Sequence, residues 1–392
     1  MSVVTILKIV AGTLLLLVIL VGLAVRVIPR FLDRIYYRGP VSDHFDGEHF
    51  FNPDGKVAPD GVPGGGSRLA FLWRMVTGSD GRPAWPRHVP VTQGKPAARV
   101  DGDRLVVTWI GHATVLIQTQ GLNILTDPVW SGVSGPFDRL GPTRVAAPGV
   151  AIDDLPAIDL ILVSHNHYDH LDKTTLKRLW ARDRPRIVTS LGNDSVIAQT
   201  GAASTALDWG QRVTVAPGID VIATRAHHWG SRWGTDRNRA LWSGFVLALP
   251  RGGNVYFTGD SGLGDGQWPA EDAAHGPIRL ALIPIGAFRF VPGQMAAGSH
   301  IGPMDAVRVF ARSRAARAIP IHWGTFRLSY EGYDTPLSML DALMRGTGGD
   351  PASFAAIPIG DAVEIPPYAP PRRPDETKIA ACMQDAAITS LP

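Results

Sequence analysis

The chain has 392 residues, of which 45% are hydrophobic and 19% charged, which excludes intrinsic disorder, collagen-like repeats and coiled-coil rods. With 38 basic and 35 acidic residues the formal net charge is +3, too mild for a nucleic-acid-binding surface. The single cysteine, Cys382, rules out an intramolecular disulfide and any cysteine-built zinc site, so a metal would have to be held by histidine and carboxylate.

Residues 9–25 carry no charge. As a helix they span about 25 Å against a hydrocarbon core of about 30 Å. Lys8 and Arg26 stand at the ends, where their stems can extend the usable length. No polar stripe interrupts this run, so it reads as one N-terminal transmembrane helix rather than a surface-lying one. Arg26, Arg30, Arg34 and Arg38 follow, opposed only by Asp33. The positive-inside rule then places the main domain on the cytoplasmic side of a bacterial inner membrane, the periplasmic side being the alternative. A cleaved signal peptide is the competing reading, with Gly22-Leu23-Ala24 as a small-x-small site.

The expected organisation is a membrane anchor with its basic flank over 1–38, a Gly/Pro-rich linker and N-terminal extension over 39–99, a catalytic domain over 100–370 and a C-terminal tail over 371–392. The linker is read from Asn52-Pro53-Asp54-Gly55, Pro59-Asp60-Gly61 and Gly64-Gly65-Gly66, all turn chemistry. Short β-branched runs at 105–109, 114–118 and 122–125, separated by glycine, predict a β-meander. The apolar run 158–163 predicts a buried strand, and 172–181 a helix capped by Asp172. Further strands are expected at 186–190, 212–215, 221–224, 245–249, 255–258, 280–284 and 318–321, with helices at 303–313 and 336–345. Strands interleaved with helices over roughly 270 residues argue for an α/β sandwich of two sheets covered by helices.

The run 158–163 ends in Ser164-His165-Asn166-His167-Tyr168-Asp169-His170-Leu171-Asp172. In extended backbone His165 and His167 point the same way and can share one ion, while Asp169 and His170 turn the chain toward a second. Imidazole and carboxylate suit zinc, and they admit iron or manganese.

With Thr108-Trp109-Ile110-Gly111-His112, Leu125-Thr126-Asp127-Pro128, Ala226-His227-His228-Trp229, Thr258-Gly259-Asp260-Ser261-Gly262 and Ile321-His322-Trp323-Gly324, this cluster resembles the metallo-β-lactamase superfamily. The order and spacing, with Arg239-Ala240-Leu241-Trp242, are similar to its N-acyl phosphatidylethanolamine phospholipase D branch. The resemblance spans roughly residues 100–330, with a fainter echo in Phe50-Phe51-Asn52-Pro53. It implies a four-layer αββα sandwich and two zinc ions. His165, His167 and His228 would hold one, Asp169, His170 and His322 the other, and Asp260 would bridge them. Only one of His227 and His228 can face an ion, and the branch's His-Trp order selects His228. Asp127 is expected to orient a ligand histidine. His112 is expected either to line the site or to satisfy a buried backbone group. His300, in Ser299-His300-Ile301-Gly302, aligns with a site histidine that would bind phosphate or protonate a leaving group. Asp169, Asp260 and His300 are thus the catalytic candidates. His44, His49, His88 and His275 read as surface residues, and the aromatic residues Trp229, Trp233, Trp242, Phe288 and Phe290 as core or acyl-chain contacts.

The resemblance implies hydrolysis of a membrane phospholipid phosphodiester to phosphatidic acid and an N-acylethanolamine, by a protein that dimerises. Two other functions fit the residues: a metallo-lactonase or phosphodiesterase acting on a soluble substrate, and a membrane-tethered di-iron redox module without hydrolase activity.

Overall fold

A computed structural model describes residues 2–32, 37–55, 73, 81–233, 235–291, 294–295 and 297–392. Arg34 and the linker turns at 59–61 and 64–66 lie outside these. Helix α1 (Val3–Leu32) contains a stretch, Val3–Ile28, long and apolar enough to cross a membrane, and none of it is buried in the protein.

The meander forms as the alternation predicts: β1 (Leu105–Gly111), β2 (Thr114–Thr119) and β3 (Leu122–Thr126) pair antiparallel in order. The chain then crosses over to lay β4 (Leu160–Val163), β5 (Arg186–Ser190) and β6 (Thr205–Leu207) parallel beyond β3. The crossover between β4 and β5 is helix α2 (Lys173–Asp183), capped by the Asp172 carboxylate, which accepts from the Thr175 amide; that between β5 and β6 is α3 (Asn193–Ala198).

The second sheet holds β7 (Arg212–Ala216), β8 (Ile219–Thr224), β9 (Gly244–Ala248), β10 (Asn254–Phe257), β11 (Ile278–Pro284) and β12 (Arg317–Ile321) in chain order across the sheet. Its connections include α4 (Trp268–Ala273) and α5 (Pro303–Ser313), and α6 (Thr335–Gly346) follows β12. A last strand, β13 (Ala362–Ile365), returns to pair with β1 at the edge of the first sheet.

Side-chain period two sorts the strands into layers. Leu105, Val107 and Trp109 of β1 meet Phe245, Phe257 and Leu282 in the core between the sheets. Leu125, Ile161 and Ile187 face the other way, onto Leu176 and Leu179 of α2. Ala281 and Ile283 likewise pack on Val307 and Phe310 of α5 and Leu340 of α6. The result is the four-layer αββα sandwich of the metallo-β-lactamase fold.

Two outer segments are more structured than composition implies. Within the predicted linker, Phe45 and Phe50 are buried against Ala226, Leu241 and Trp242. In the predicted tail, Ile379 and Ile388 are buried in the core beneath α5 and α6. Both segments are rich in polar and turn residues, so a few widely spaced apolar anchors do the packing, and these give no periodic signal.

Candidate metal centre

Every predicted site residue lies where a strand or a turn ends at one rim of the sandwich. His112 sits in the turn between β1 and β2, Asp127 follows β3, and His165 to His170 follow β4. His228 follows β8, Asp260 follows β10, His322 follows β12, and His300 precedes α5. Gly259 makes the Asp260 turn: at φ 60° a Cβ there would lie 2.7 Å from Ser164 Cβ.

Among the described residues two groups of four potential ligand atoms result, each with all members within 4.8 Å of one another: His165, His167, His228 and Asp260, and His112, Asp169, His170 and His322; Asp127 with His165 and His170, and His300 with Asp260 and His322, form two further groups of three. In the first, His167 Nδ1 lies 2.8 Å from His165 Nε2 and 3.3 Å from His228 Nε2. Between the groups stands Asp260, whose Oδ2 is 3.1 Å from His170 Nε2 and from His322 Nε2. The same oxygen is 3.6 Å from His300 Nδ1, 3.9 Å from His228 Nε2 and 4.0 Å from His165 Nε2. Asp169 Oδ2 faces His112 Nε2 at 3.0 Å, His322 Nε2 at 3.4 Å and His170 Nε2 at 3.6 Å.

The outer faces of these rings are held. Asp127 Oδ2 accepts from His170 Nδ1 at 2.6 Å, and its other oxygen accepts from the Ser164 amide at 2.7 Å. His228 Nδ1 reaches the Ser299 carbonyl at 2.8 Å, which fixes Nε2 as the free acceptor. His227 turns away, its Nδ1 2.8 Å from Asp54 Oδ1. The His112 ring lies at the cluster, its Nε2 3.0 Å from Asp169 Oδ2, and its amide donates to Thr325 Oγ1 at 2.8 Å. Ser164, Ser299 and Asn52, which contact these rings or their backbone, carry no sequence signal, because a hydroxyl, a carbonyl or an amide in a turn looks like any other.

The protein's own electrostatics set the protonation. Burial pushes His165 and His228 far below the usual histidine range, and it pushes His167 and His112 down to about 3. Burial would lower His322 as well, but the Asp260 charge and hydrogen bonds to Asp169 and Asp260 raise it to about 9. Burial would raise Asp169 and Asp260, yet the facing His170 charge, joined at Asp260 by that of His322, holds both carboxyls well below their ordinary value. At neutral pH the first group is therefore three uncharged imidazoles aiming lone pairs at one point beside a carboxylate.

Among the described residues His170 Nε2, His322 Nε2 and both Asp260 oxygens are buried and lack well-formed hydrogen bonds, Asp260 Oδ2 meeting both rings instead as charge pairs at 3.1 Å. A divalent ion is the partner that N/O donor set fits.

A pocket of about 380 Å³ opens on the cluster, with His167, Asp169 and His300 at its polar end and Trp229, Phe290 and Leu328 on its walls. Trp242 and Phe288, by contrast, are fully buried core residues.

A two-sheet sandwich with histidines and aspartates gathered at one rim defines a metal-dependent hydrolase. The chain belongs to the beta-lactamase superfamily: residues 122–323 match the family described as the beta-lactamase superfamily domain. It is 36% identical over 252 residues to N-acyl-phosphatidylethanolamine-hydrolyzing phospholipase D 1 of Caenorhabditis elegans, covering 61% of this chain and 70% of that one. It is 35% identical over 277 residues to an uncharacterized protein of Mycobacterium tuberculosis, covering 69% and 72%. Among solved structures, Igni18, a metallo hydrolase of the archaeon Ignicoccus hospitalis, shares the fold with a TM-score of 0.52 at 19% identity, over 67% of this chain and 98% of that one.

Proposed function

We propose that this hydrolase cleaves a membrane phospholipid at its phosphodiester in the manner of a phospholipase D, releasing phosphatidic acid and an N-acylethanolamine from N-acyl phosphatidylethanolamine. The observation that carries the reading is the two-ended pocket: a polar His/Asp floor that suits a phosphate, and Trp229, Phe290 and Leu328 walls that suit acyl chain. The similarity to the nematode phospholipase supports the same substrate.

In this reading His165, His167 and His228 would hold one zinc ion and Asp169, His170 and His322 another, with the Asp260 carboxylate shared between the two groups. A pair of divalent ions supplies Lewis acidity, bringing the pKa of water toward about 7 and neutralising charge on a phosphodiester. Asp127 and the Ser299 carbonyl keep His170 and His228 aimed inward. His300, 9% exposed at the pocket, stands where it can donate a proton to the departing head-group oxygen. The apolar helix α1 anchors the domain to the membrane, with the domain on the cytoplasmic side.

The test uses the full chain in vesicles containing N-acyl phosphatidylethanolamine, with and without a chelator, and products read by mass spectrometry. Chelator-sensitive release of phosphatidic acid is expected. Turnover confined to water-soluble esters would move the assignment to a lactonase or a soluble-substrate phosphodiesterase. Bound iron with a visible absorption band and no hydrolysis would overturn it in favour of a redox module.

A further inference from the structure

The segment 44–54, which lies between the apolar helix and the sandwich, touches the loop that carries the predicted ligand His228. Asn52 is 8% exposed. Its amide nitrogen donates to the His228 carbonyl at 2.9 Å, across a sequence separation of 176 residues, and its oxygen accepts from the His228 amide at 3.2 Å. One side chain thus satisfies both backbone groups of one residue, as a neighbouring strand would. The same oxygen accepts from the Trp242 indole at 3.1 Å, which fixes the orientation of the amide.

The neighbours of Asn52 hold it there. Phe50 is buried, and its amide donates to the Asn238 carbonyl at 2.7 Å. Two residues on, Asp54 takes His227 Nδ1 at 2.8 Å and the Asp265 amide at 3.0 Å. His227 and His228 are therefore gripped on opposite sides by Asp54 and Asn52, which explains how adjacent histidines take such different directions. Strand β8 ends at Thr224, and beyond it an isolated bridge pairs His227 with Gly262. At His228 the Asn52 side chain supplies the backbone partners.

We infer that Asn52 is a positioning residue for His228, and that the 44–54 segment is a strap that builds the first ion site from behind. This rests on the ligand assignment proposed above. Without the strap the His228 peptide would lose both its partners, and the ring would keep its Ser299 hydrogen bond and its contacts with the His165, His167 and His300 rings.

The experiment measures zinc affinity by chelator competition, and the visible spectrum with cobalt(II) substituted for zinc, on full-length protein. Asn52→Ala is expected to weaken binding of one zinc by about 10- to 100-fold and to shift the cobalt spectrum toward that of His228→Ala. Asn52→Asp, which keeps the size and one acceptor but sets a carboxylate oxygen against the His228 carbonyl, is expected to do nearly the same. Phe310→Leu, buried in the separate core beneath α5 and α6, is expected to lower the melting temperature while leaving zinc affinity unchanged. Wild-type zinc affinity and cobalt spectrum in Asn52→Ala would overturn the inference. So would zinc loss in Asn52→Ala and Asn52→Asp that only tracks the unfolded fraction seen by circular dichroism. Wild-type zinc binding by His228→Ala would overturn both this inference and the ligand assignment, whereas absence of lipid turnover with these metal results intact would overturn the substrate alone.

Discussion

His112, Asp127 and His322 stand in left-handed backbone at φ 54°, 31° and 62°, a conformation that costs a non-glycine residue on the order of 1–3 kcal/mol. The rim is held there by its hydrogen bonds: the His322 amide donates to the His112 carbonyl at 3.0 Å, and the Asp127 amide to the Leu162 carbonyl at 2.9 Å. Such strain is invisible in sequence, whereas the identities of the converging groups were readable because few other roles assemble H-x-H-x-D-H after an apolar run. Asp127→Asn is expected to weaken metal binding by about 10- to 100-fold with the fold retained, as read by chelator competition beside circular dichroism. Gly259→Ala must find room for a methyl 2.7 Å from Ser164 Cβ and 2.9 Å from the Ser243 carbonyl at a positive φ. A loss of more than about 2 kcal/mol in denaturant unfolding is expected, since both strain and overpacking act.

At the scale of elements, strands with both faces buried were legible to within two residues, as at Leu160–Val163, because unbroken apolar runs admit few readings. Thr205–Leu207 and Ala362–Ile365 were not: they are short, partly exposed edge strands whose pairing comes from their neighbours. The His44 reading failed for a related reason. This histidine is buried, stacks on Trp209 and bridges to Asp208 at 2.7 Å and to Asp43 at 2.6 Å. The Asp208 partner lies 164 residues away in sequence, which local pattern does not disclose. Burial lowers its pKa, but the Asp208 and Asp43 hydrogen bonds outweigh it and raise the folded value above 6.5. The bridge is therefore fully stabilising below 6.5 and fades as pH rises through the folded value. His44→Ala should accordingly destabilise most at about pH 5 and least at about pH 9, in urea melts compared with the parent chain. On the opposite side, Phe310→Ala in α5 removes a ring 1% exposed and is expected to lower stability by about 3–5 kcal/mol without altering metal content.

For the whole molecule, two sheets stacked face to face present their loops at a common rim, so residues far apart in sequence become neighbours there. That much followed from motif order; the packing of segments 44–54 and 371–392 did not, since neither carries a period. Over Val3–Ile28 helix α1 buries nothing against the domain. Removing residues 1–28 is therefore expected to release the protein from sedimenting vesicles while metal content and melting temperature stay as they were. Retained sedimentation would mean that another surface binds lipid.

The spread of the predicted ligands, from His165 to His322 on strands of both sheets, also sets an order of events during synthesis. Translation delivers Asn52 first, then the dense histidine cluster, and much later His322 at the end of β12. Non-local pairings of this kind form slowly. On the ligand assignment proposed above, ion capture is a closing event of maturation, and metal starvation should yield an apoprotein whose β1–β3 meander has already formed.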